Sequence, residues 1–252
     1  MKKDSTRRFS DRVADYVKYR PSYPVEIIEY LRQNFHLDNS DVIVDVGSGT
    51  GISAEIFLKE GFTVITVEPN KEMREQAERT LSGYSGFSSV AGTAEATTIP
   101  DNTADFIIAA QAFHWFDKRT SRDSFKKLLR KDGIVVLIWN ERLTTSPFEK
   151  EYDQLIIKHA IDYTRVNHRN IERKDIDAFY APEKCQLHTF GNFQSFDYNG
   201  LKGRLLSSSY MPVNSDPGFN EMLKDLSELF DRFKENNMVT IHYSTLVYAG
   251  KL

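Results

Sequence analysis

Three glycines and two acids in the first third of the chain have types and a spacing that suit a nucleoside ligand. Gly47, Gly49 and Gly51 alternate with small polar residues after a short apolar run, and Asp45 stands two residues before the first glycine. Glycines let a backbone turn sharply and approach a ligand with no side chain in the way. Glu68 ends the next β-branched run, and its two carboxylate oxygens can accept hydrogen bonds from both hydroxyls of a ribose.

The spacing of these glycines departs from the two common phosphate-binding loops. A dinucleotide fingerprint, Gly-x-Gly-x-x-Gly, would need a glycine at position 52, where this chain has Ile52. The loop also has no Lys or Arg and lacks the Gly-Lys-Ser/Thr ending of a P-loop. The spacing therefore favours a ligand with an adenosine and no phosphate. An NAD-type oxidoreductase is the alternative that the glycine spacing argues against.

The elements that must position these residues alternate between strands and helices over residues 41–140. The strand-like runs are 42–44, 63–67, 88–90, 105–110 and 134–139. Asn70 can cap the helix that follows the second run, Ser121 can start the helix that follows the fourth, and Gly133 can end that helix. Strands that are apolar on both faces and separated by helices indicate a doubly wound α/β sheet, mostly parallel and covered on both faces by helices.

The flanking segments predict additions to this core. Residues 1–40 contain a short helical pattern before Pro21 and a second helix with Pro24 at its first position. Residues 141–252 contain a capping box at 146–149, which starts one helix, and a second helix that starts at Asp216-Pro217.

Two strand-like segments also lie in this last part of the chain. Residues 184–198 turn strand-like, and apolar residues alternate with others over 239–247. The second pattern predicts a half-buried last strand that returns antiparallel to its neighbours.

Composition limits the class of protein. The 252 residues carry a net charge of -3, with 40% hydrophobic and 27% charged residues, as in an ordinary globular protein. Near-neutral charge argues against nucleic acid or an anionic membrane surface as a partner. The single cysteine, Cys185, excludes an internal disulfide framework, and no His, Asp or Glu spacing predicts a metal site. With no apolar run long enough for a membrane helix or a signal peptide, we expect a cytoplasmic protein.

The motifs in this order resemble those of the class I S-adenosylmethionine-dependent methyltransferases. The segments that carry the resemblance are Val44–Gly51, Val67–Met73, Gly92–Glu95 and Ile99–Asp101. The match is closest to a small-molecule branch that includes trans-aconitate and quinone-biosynthesis methyltransferases. Residues 16–24 and His114-Trp115-Phe116 also look like this branch. The resemblance covers about residues 9–140 well and the rest of the chain more loosely.

The resemblance implies a Rossmann-like sheet with an antiparallel last strand, and S-adenosylmethionine as cofactor. The residues implied to hold that cofactor are Tyr16, Arg20, Asp45, Gly47, Ser48, Gly49, Gly51, Glu68, Met73, Ala94, Glu95 and Gln111. Tyr16 and Arg20 would close over its methionine carboxylate, and the Gln111 carbonyl would meet its ammonium group, near which Asp45 would also act. Glu68 would hold the ribose, while Met73, Ala94 and Glu95 would meet the adenine. Many relatives have Asp where Thr93 stands, so Thr93 is not assigned a contact.

Methyl transfer from a sulfonium is an in-line displacement that depends mainly on orientation and needs a base only when the acceptor must lose a proton. His114 follows the fourth strand and is the candidate general base. The alternative, that His114 and Trp115 only shape the acceptor pocket, is the commoner role for such residues. Tyr210 is a second candidate for the pocket wall, although a helix-end turn explains the neighbouring serines without any function.

A basic cluster follows the fifth strand, and its members are Arg165, His168, Arg169, Arg173 and Lys174. It could steer an anionic substrate, but a solvated face is the commoner explanation for such a run. We expect one domain over residues 1–252, with 1–40 as an N-terminal helical cover, 41–140 as the cofactor-binding core and 141–252 as lid insertions and sheet-completing strands. The expected activity is methyl transfer to a small molecule. A binding protein that has lost transfer is the second alternative, because this chemistry needs no invariant catalytic side chain.

Overall fold

A computed structural model of the chain describes residues 18–161, 172–208 and 210–252. In these parts the eight α-helices are α1 (Glu26–Phe35), α2 (Ile52–Lys59), α3 (Lys71–Leu81), α4 (Lys118–Leu128), α5 (Pro147–His159), α6 (Arg173–Tyr180), α7 (Tyr198–Leu206) and α8 (Phe219–Phe233). The strands are β1 (Val42–Val46), β2 (Thr63–Val67), β3 (Phe87–Val90), β4 (Ala104–Ala110), β5 (Leu129–Arg142), β6 (Gln186–Phe196) and β7 (Val239–Gly250). A short 3₁₀ turn, Phe113–Trp115, follows β4. The short helix predicted before Pro21 falls mainly on residues outside the described ranges.

The seven strands form one sheet in the order β3-β2-β1-β4-β5-β7-β6. The first five strands along the chain pair in parallel, while β7 pairs antiparallel with both β5 and β6. The chain reverses direction across the sheet between β1 and β4, and ligands bind beyond the carboxyl ends of the strands at such a switch point. The prediction of a doubly wound, mostly parallel sheet with an antiparallel last strand is confirmed.

The core divides into two layers because successive side chains of a strand point to opposite faces. On one face, Ile43 and Ile108 pack among the apolar residues of α1, α2 and α3. On the other face, Val44 and Ile107 pack among those of the 3₁₀ turn, α4 and α6. The alternation holds the carboxyl edge of β1 and β4 between two helix layers.

A third apolar cluster lies beside the sheet and draws on α5, α7, α8 and the start of β7. Tyr243 of β7 belongs to it and pairs with Arg142, the last residue of β5. Since β5 runs parallel to β1 and β4, its last residue marks the carboxyl edge. The cluster therefore lies at the end of the sheet where ligands bind. We call α5, α7 and α8 the cap.

Several predicted helix boundaries are wrong. Helix α1 begins at Glu26, with Val25 at the N-cap, rather than at Pro24. Helix α4 begins at Lys118, because the Asp117 carboxylate accepts the Thr120 amide and caps the helix four residues before Ser121. Helix α8 begins at Phe219, after Gly218 at a φ of 82°.

The predicted end of α4 and the predicted number of helices in the last part of the chain are also wrong. Helix α4 ends at Leu128, because Leu129 is already extended and pairs with Ala104 in the sheet. Two helices were missed in residues 141–252, α6 and α7, of eight and nine residues. Such short elements carry too few turns for a clear helical period.

Candidate functional site

The predicted glycine loop, Glu68 and Gln111 all lie at the carboxyl ends of neighbouring strands. The loop follows β1, Glu68 follows β2 and Gln111 follows β4. The sheet order places β1 between β2 and β4. The fold therefore brings together three segments that are far apart in the sequence.

The glycine loop adopts backbone conformations that other residues rarely take. Gly47, Gly49 and Gly51 have φ values of 68°, 57° and 85°. A Cβ added at Gly47 would lie 2.7 Å from the Ala112 Cβ, and one at Gly51 would lie 2.5 Å from the Leu81 Cδ1. At Gly49 the nearest atom would be the Met73 Sδ, at 3.6 Å, so this glycine faces the more open side of the loop. The loop thus needs glycine for its turn and presents bare backbone beside Met73.

Glu68 fastens the loop to the end of β2. Its Oε2 accepts the Gly49 amide at 2.9 Å and its Oε1 accepts the Asn70 amide at 2.7 Å. Glu68 is buried, and burial raises the pKa of its carboxyl. Each carboxylate oxygen has a second lone pair for another donor. The carboxylate can therefore shape the loop and accept further hydroxyl donors at the same time.

Asp45 is a second buried acid next to Glu68. Its Oδ2 accepts the Ser53 hydroxyl at 2.6 Å, while its Oδ1 has no hydrogen-bond partner among the described residues. Burial raises the pKa of Asp45 to about 7, and the nearby charge of Glu68 adds to the rise. The buried hydroxyls of Ser48 and Thr50 also lack a partner within the described chain. Buried polar atoms are normally hydrogen-bonded, so these three atoms indicate a place for a polar ligand or water.

The residues predicted to meet an adenine lie on three different segments. Met73 is buried in the first turn of α3, where its amide donates to the capping Asn70 side chain. Ala94 is buried, and the Glu95 Oε1 accepts the Asp117 amide at 2.9 Å. Glu95 thus also ties its segment to the start of α4. Their role toward an adenine stays a prediction.

Gln111 has a strained backbone at the end of β4. Its φ is 55°, in the left-handed region that non-glycine residues seldom adopt. Its side-chain amide donates to the Asn140 carbonyl at 3.0 Å, and its backbone amide donates to the Ile138 carbonyl. These bonds hold Gln111 in this conformation between the loop and β5.

The predicted acceptor-side residues are divided between two places. His114 and Trp115 lie in the 3₁₀ turn after β4, their ring centroids 4.8 Å apart; His114 is half-buried and Trp115 is 39% exposed. Tyr210 follows α7 on the cap side. Arg20 donates from Nη2 to the Ser207 carbonyl at 3.0 Å. This bond links the N-terminal segment, by which we mean residues 18–25 before α1, to the same cap. Tyr16 lies outside the described residues.

Sequence reasoning missed Arg204, which is 7% exposed within α7. Its Nε donates to the Tyr243 hydroxyl at 3.2 Å and its Nη1 to the Ser208 hydroxyl at 3.3 Å. A signal for it exists in the sequence. Leu201, Arg204, Leu205 and Ser208 follow one another at helical spacing, so a charge stands on an otherwise buried stripe.

The predicted basic cluster is only partly described. Arg165, His168 and Arg169 lie outside the described residues. Arg173 pairs with Asp177 at 2.8 Å and Lys174 with Glu172 at 2.7 Å, both largely exposed. A substrate role for the cluster remains a prediction.

The described parts of the chain contain no group of three or more His, Cys, Asp and Glu side chains placed to hold a metal ion. None of the described helices is both long and apolar enough to cross a membrane.

Comparison with known proteins agrees with this geometry. Residues 44–137 match the family model described as a methyltransferase domain. An uncharacterized methyltransferase of Schizosaccharomyces pombe is 24% identical over 251 residues, and the match covers 97% of both chains. A Dictyostelium discoideum protein named as a methyltransferase is 29% identical over 255 residues, covering 97% of this chain and 94% of that protein.

Among solved structures, a methyltransferase from Anaeromyxobacter dehalogenans described as type II superposes with a TM-score of 0.65. Its identity is 17%, with 92% of this chain and 98% of that chain covered, so it supports the fold alone. The matched domain includes the glycine loop, Glu68 and the turn after β4. The domain match, the relatives and the fold together support a methyltransferase that uses S-adenosylmethionine.

Proposed function

We propose that this enzyme methylates a small-molecule acceptor that binds between the glycine loop and the cap. The observation that carries the proposal is the covering of the strand ends. The Ser22 carbonyl accepts the side-chain amides of Asn140 and Asn192, at 3.1 and 2.8 Å, so the N-terminal segment lies across the end of β5 and the part of β6 that is level with it. Arg20 continues this connection to the end of α7. A covered site suits a small acceptor better than a macromolecule.

The described residues fit S-adenosylmethionine on two independent observations. Gly49 leaves open space beside Met73, and the unpartnered Asp45 Oδ1 and Ser48 and Thr50 hydroxyls supply polar contacts. Two buried carboxyls, Asp45 and Glu68, suit a ligand that carries an ammonium group and ribose hydroxyls. When bound, the cofactor supplies a methyl group activated by a positively charged sulfur.

In this proposal each residue named from the sequence keeps its assigned role. The glycine loop and Ser48 border the methionine and ribose, Glu68 accepts the ribose hydroxyls, and Asp45 and Gln111 orient the ammonium end. Met73, Ala94 and Glu95 border the adenine, and Tyr16 and Arg20 close the methionine end. The protein accelerates transfer by holding the acceptor atom in line with the methyl group and by excluding water.

His114, Trp115 and Tyr210 are proposed to line the acceptor side, with His114 as the base for acceptors that must lose a proton. We further propose that the enzyme belongs with the trans-aconitate and quinone-biosynthesis branch and works in the cytoplasm. Residues 141–252 then complete the sheet with β6 and β7 and cover the site with the cap. Residues 1–40 form the N-terminal cover within the same domain.

The test is a methyl-transfer assay on the purified protein with methyl-labelled S-adenosylmethionine and separate panels of carboxylates, phenols and amines. We expect label in at least one small-molecule class, and calorimetry should show S-adenosylhomocysteine binding. Binding without transfer to any panel would instead favour a protein that has lost transfer. The same assay on His114→Ala distinguishes a general base from a residue that only lines the pocket. If His114 is the base, the variant should lose most of its turnover with phenols or amines and show an altered pH profile, while transfer to carboxylates is retained.

A further inference from the structure

Arg204 is a buried cation whose hydrogen-bond partners among the described residues are neutral. These partners are the hydroxyls of Tyr243, Ser208 and Ser207, the last at 3.5 Å from Nη1. Among the described residues no carboxylate lies within ion-pair distance of Arg204, and its Nη2 donates no hydrogen bond to any of them. Buried arginines are normally paired with an acid because an uncompensated buried charge is costly. This charge therefore indicates an anion supplied by a ligand.

A second guanidinium, Arg142, lies in the same part of the molecule. It pairs with the Asp153 carboxylate through Nη2, and its guanidinium carbon lies 5.2 Å from the Tyr152 ring centroid. Its Nε is buried and has no partner in the described chain. Among the described residues, Asp153 is thus the carboxylate that pairs with this pair of arginines, and it pairs with Arg142. The two guanidinium groups carry more positive charge than one carboxylate neutralises.

Tyr210 shows that these charges converge on one spot. Burial raises the pKa of Tyr210, but the positive charges of Arg20, Arg204 and Arg142, together with a hydrogen bond from Ser208, outweigh that effect and hold it below its ordinary value. The Ser207 and Ser208 hydroxyls also lie within hydrogen-bond distance of Arg204. Such a mixture of guanidinium and hydroxyl donors is suited to carboxylate or phosphate oxygens.

The position of the cluster distinguishes the acceptor from the cofactor. Arg142 lies two residues beyond Asn140 on β5, and the Asn140 backbone carbonyl accepts the Gln111 side chain. Tyr243 of β7 pairs with Arg142 and accepts the Arg204 Nε. The cluster therefore lies farther along β5 than the predicted methionine end of the site, next to the cap and on the side of β5 away from the glycine loop.

We propose that the methyl acceptor carries an anionic oxygen group, a carboxylate or a phosphate ester, that binds to Arg204 within this cluster. The proposal rests on the function proposed above and names the chemical class of its substrate. Arg204 is then the residue that selects anionic acceptors and orients them. The competing explanation is that Arg204 only joins α7 to β7 through Tyr243.

The first experiment uses the wild-type protein with S-adenosylhomocysteine bound. Succinate, glutarate and citrate form the carboxylate arm, phenyl phosphate and glycerol 3-phosphate form the phosphate arm, and each is paired with its neutral methyl ester or alcohol. We expect at least one arm to raise the melting temperature and to bind in calorimetry, while its neutral partners do not. Which arm responds identifies the oxyanion. Equal effects of anions and neutral partners, or no effect of either arm, would overturn the proposal.

The second experiment compares Arg204→Gln and Arg204→Lys with Lys202→Gln, which removes a charge two residues away on the same helix. Charge-assisted hydrogen bonds contribute about 1.5–3 kcal/mol, or about 10- to 100-fold in affinity. We therefore expect Arg204→Gln to weaken the responding anion 10- to 100-fold, Arg204→Lys to restore part of it, and Lys202→Gln to bind normally. Unchanged anion binding in Arg204→Gln, or an equal loss in Lys202→Gln, would contradict the assignment.

The cofactor serves as an internal reference. S-adenosylhomocysteine affinity should be unchanged in Arg204→Gln, and a loss as large as that for the anion would move Arg204 to the cofactor site and overturn the proposal. If Arg204→Gln does not fold, the wild-type comparison of anions with neutral partners still decides. Methyl transfer to neutral acceptors alone would reject the anion proposal but keep the function. Anion binding without any transfer would reject the function but keep the anion site.

Discussion

At the scale of single residues, the two buried acids beside the glycine loop oppose folding and favour ligand binding. Burial raises the pKa of both Asp45 and Glu68; the charge of Glu68 raises the pKa of Asp45 further, whereas Arg74 partly offsets the rise at Glu68. When both carboxyls are ionised, the pair is a buried negative site in a medium of low dielectric. A cationic ligand relieves this repulsion, so the same residues that destabilise the free protein can supply affinity.

Asp45→Asn should therefore stabilise the free protein at neutral and alkaline pH. The pKa of Asp45 in the folded state is about 7, above the ordinary value of 3.8. Its contribution to stability is therefore complete below about pH 4 and is lost as the pH rises through 7. We expect the advantage of the variant in thermal or urea unfolding to grow by roughly 1 kcal/mol per pH unit between about pH 5 and 7.

The same substitution should weaken binding of the cofactor. Calorimetry with S-adenosylhomocysteine should show wild-type affinity falling as the pH drops from about 8 to 6, because Asp45 takes up a proton. Asp45→Asn should bind weakly with little of this pH dependence. A variant that is less stable than the wild type at pH 8, or that binds as the wild type does, would contradict the account of Asp45.

At the scale of elements, the junction between β1 and α2 depends on Gly51 for two separate reasons. Its φ is 85°, and an added Cβ would meet the Leu81 Cδ1 of α3 at 2.5 Å. Gly61 has nearly the same φ, 84°, but an added Cβ there would meet nothing closer than 3.9 Å. The two glycines therefore separate backbone strain from crowding.

Gly61→Ala should lose about 1–2 kcal/mol of unfolding free energy through the left-handed backbone alone. Gly51→Ala should lose about 1–3 kcal/mol more, because the methyl group has to displace a packed leucine. Urea unfolding of both variants measures the difference. Equal losses would mean that α3 moves aside without cost.

Glu149 joins the start of α5 to β7. Its Oε2 accepts the backbone amides of Thr145 and Ser146 and the Thr145 hydroxyl, at 2.9–3.0 Å. Its Oε1 accepts the His242 amide at 2.9 Å and contacts the His242 Nδ1 at 2.8 Å. Burial opposes ionisation of Glu149, but these hydrogen bonds outweigh it and lower its pKa to about 2.

Glu149→Gln should lower the free energy of unfolding by about 3 kcal/mol at neutral pH. This loss follows from the pKa of Glu149, which lies at about 2 in the folded protein, below its ordinary value of 4.5. Because the folded-state pKa is depressed, this contribution is present above pH 4.5 and is lost as the pH falls toward 2. The variant and the wild type should therefore converge in acid. Glu151→Gln is the matched control on the same helix, since its exposed pair with Arg232 contributes less than about 1 kcal/mol. A loss that persists unchanged in acid would assign the effect to packing.

Helix caps show how far local sequence determines these elements. Asn70 and the capping box at Ser146 place α3 and α5 correctly, because the side chain that ends the preceding loop also bonds the first turn. The prediction that Ser121 starts α4 is wrong because Asp117 fills the cap position four residues earlier. Local pattern cannot decide between two adequate caps, and tertiary packing does.

The candidate site was predictable for a related reason. The turn at positive φ requires glycines, and the hydrogen bonds to the loop require a carboxylate such as Glu68. Both requirements restrict the residue type, so they can be recognised in the sequence. Arg204 is harder to recognise from the sequence, because it is buried against Tyr243, which is 39 residues away and on another element. Whether a charge on a helix is buried or exposed is set by the packing of distant elements rather than by its neighbours in sequence.

At the scale of the whole molecule, the sheet and the cap have separate cores joined along β7. Val247 and Ala249, late in β7, belong to a sheet layer, whereas Val239 and Ile241, at its start, belong to the cap cluster. The N-terminal segment also contacts the cap, where Tyr19 packs against the cap cluster and Arg20 donates to the Ser207 carbonyl. Such a division allows the cap to open while the sheet remains folded.

Leu226→Ala tests this division, because Leu226 is fully buried within the cap core on α8. The cavity should cost about 2–5 kcal/mol. If the cap opens by itself, hydrogen exchange should speed up in α5, α7 and α8 and remain slow in α2, α3 and β1. Ile108→Ala, an equally buried change at the centre of the sheet, is the control and should speed exchange throughout. Uniform acceleration in Leu226→Ala would mean that cap and sheet unfold as one unit. In that case acceptor entry could not depend on separate opening of the cap, and would need a smaller movement near the N-terminal segment.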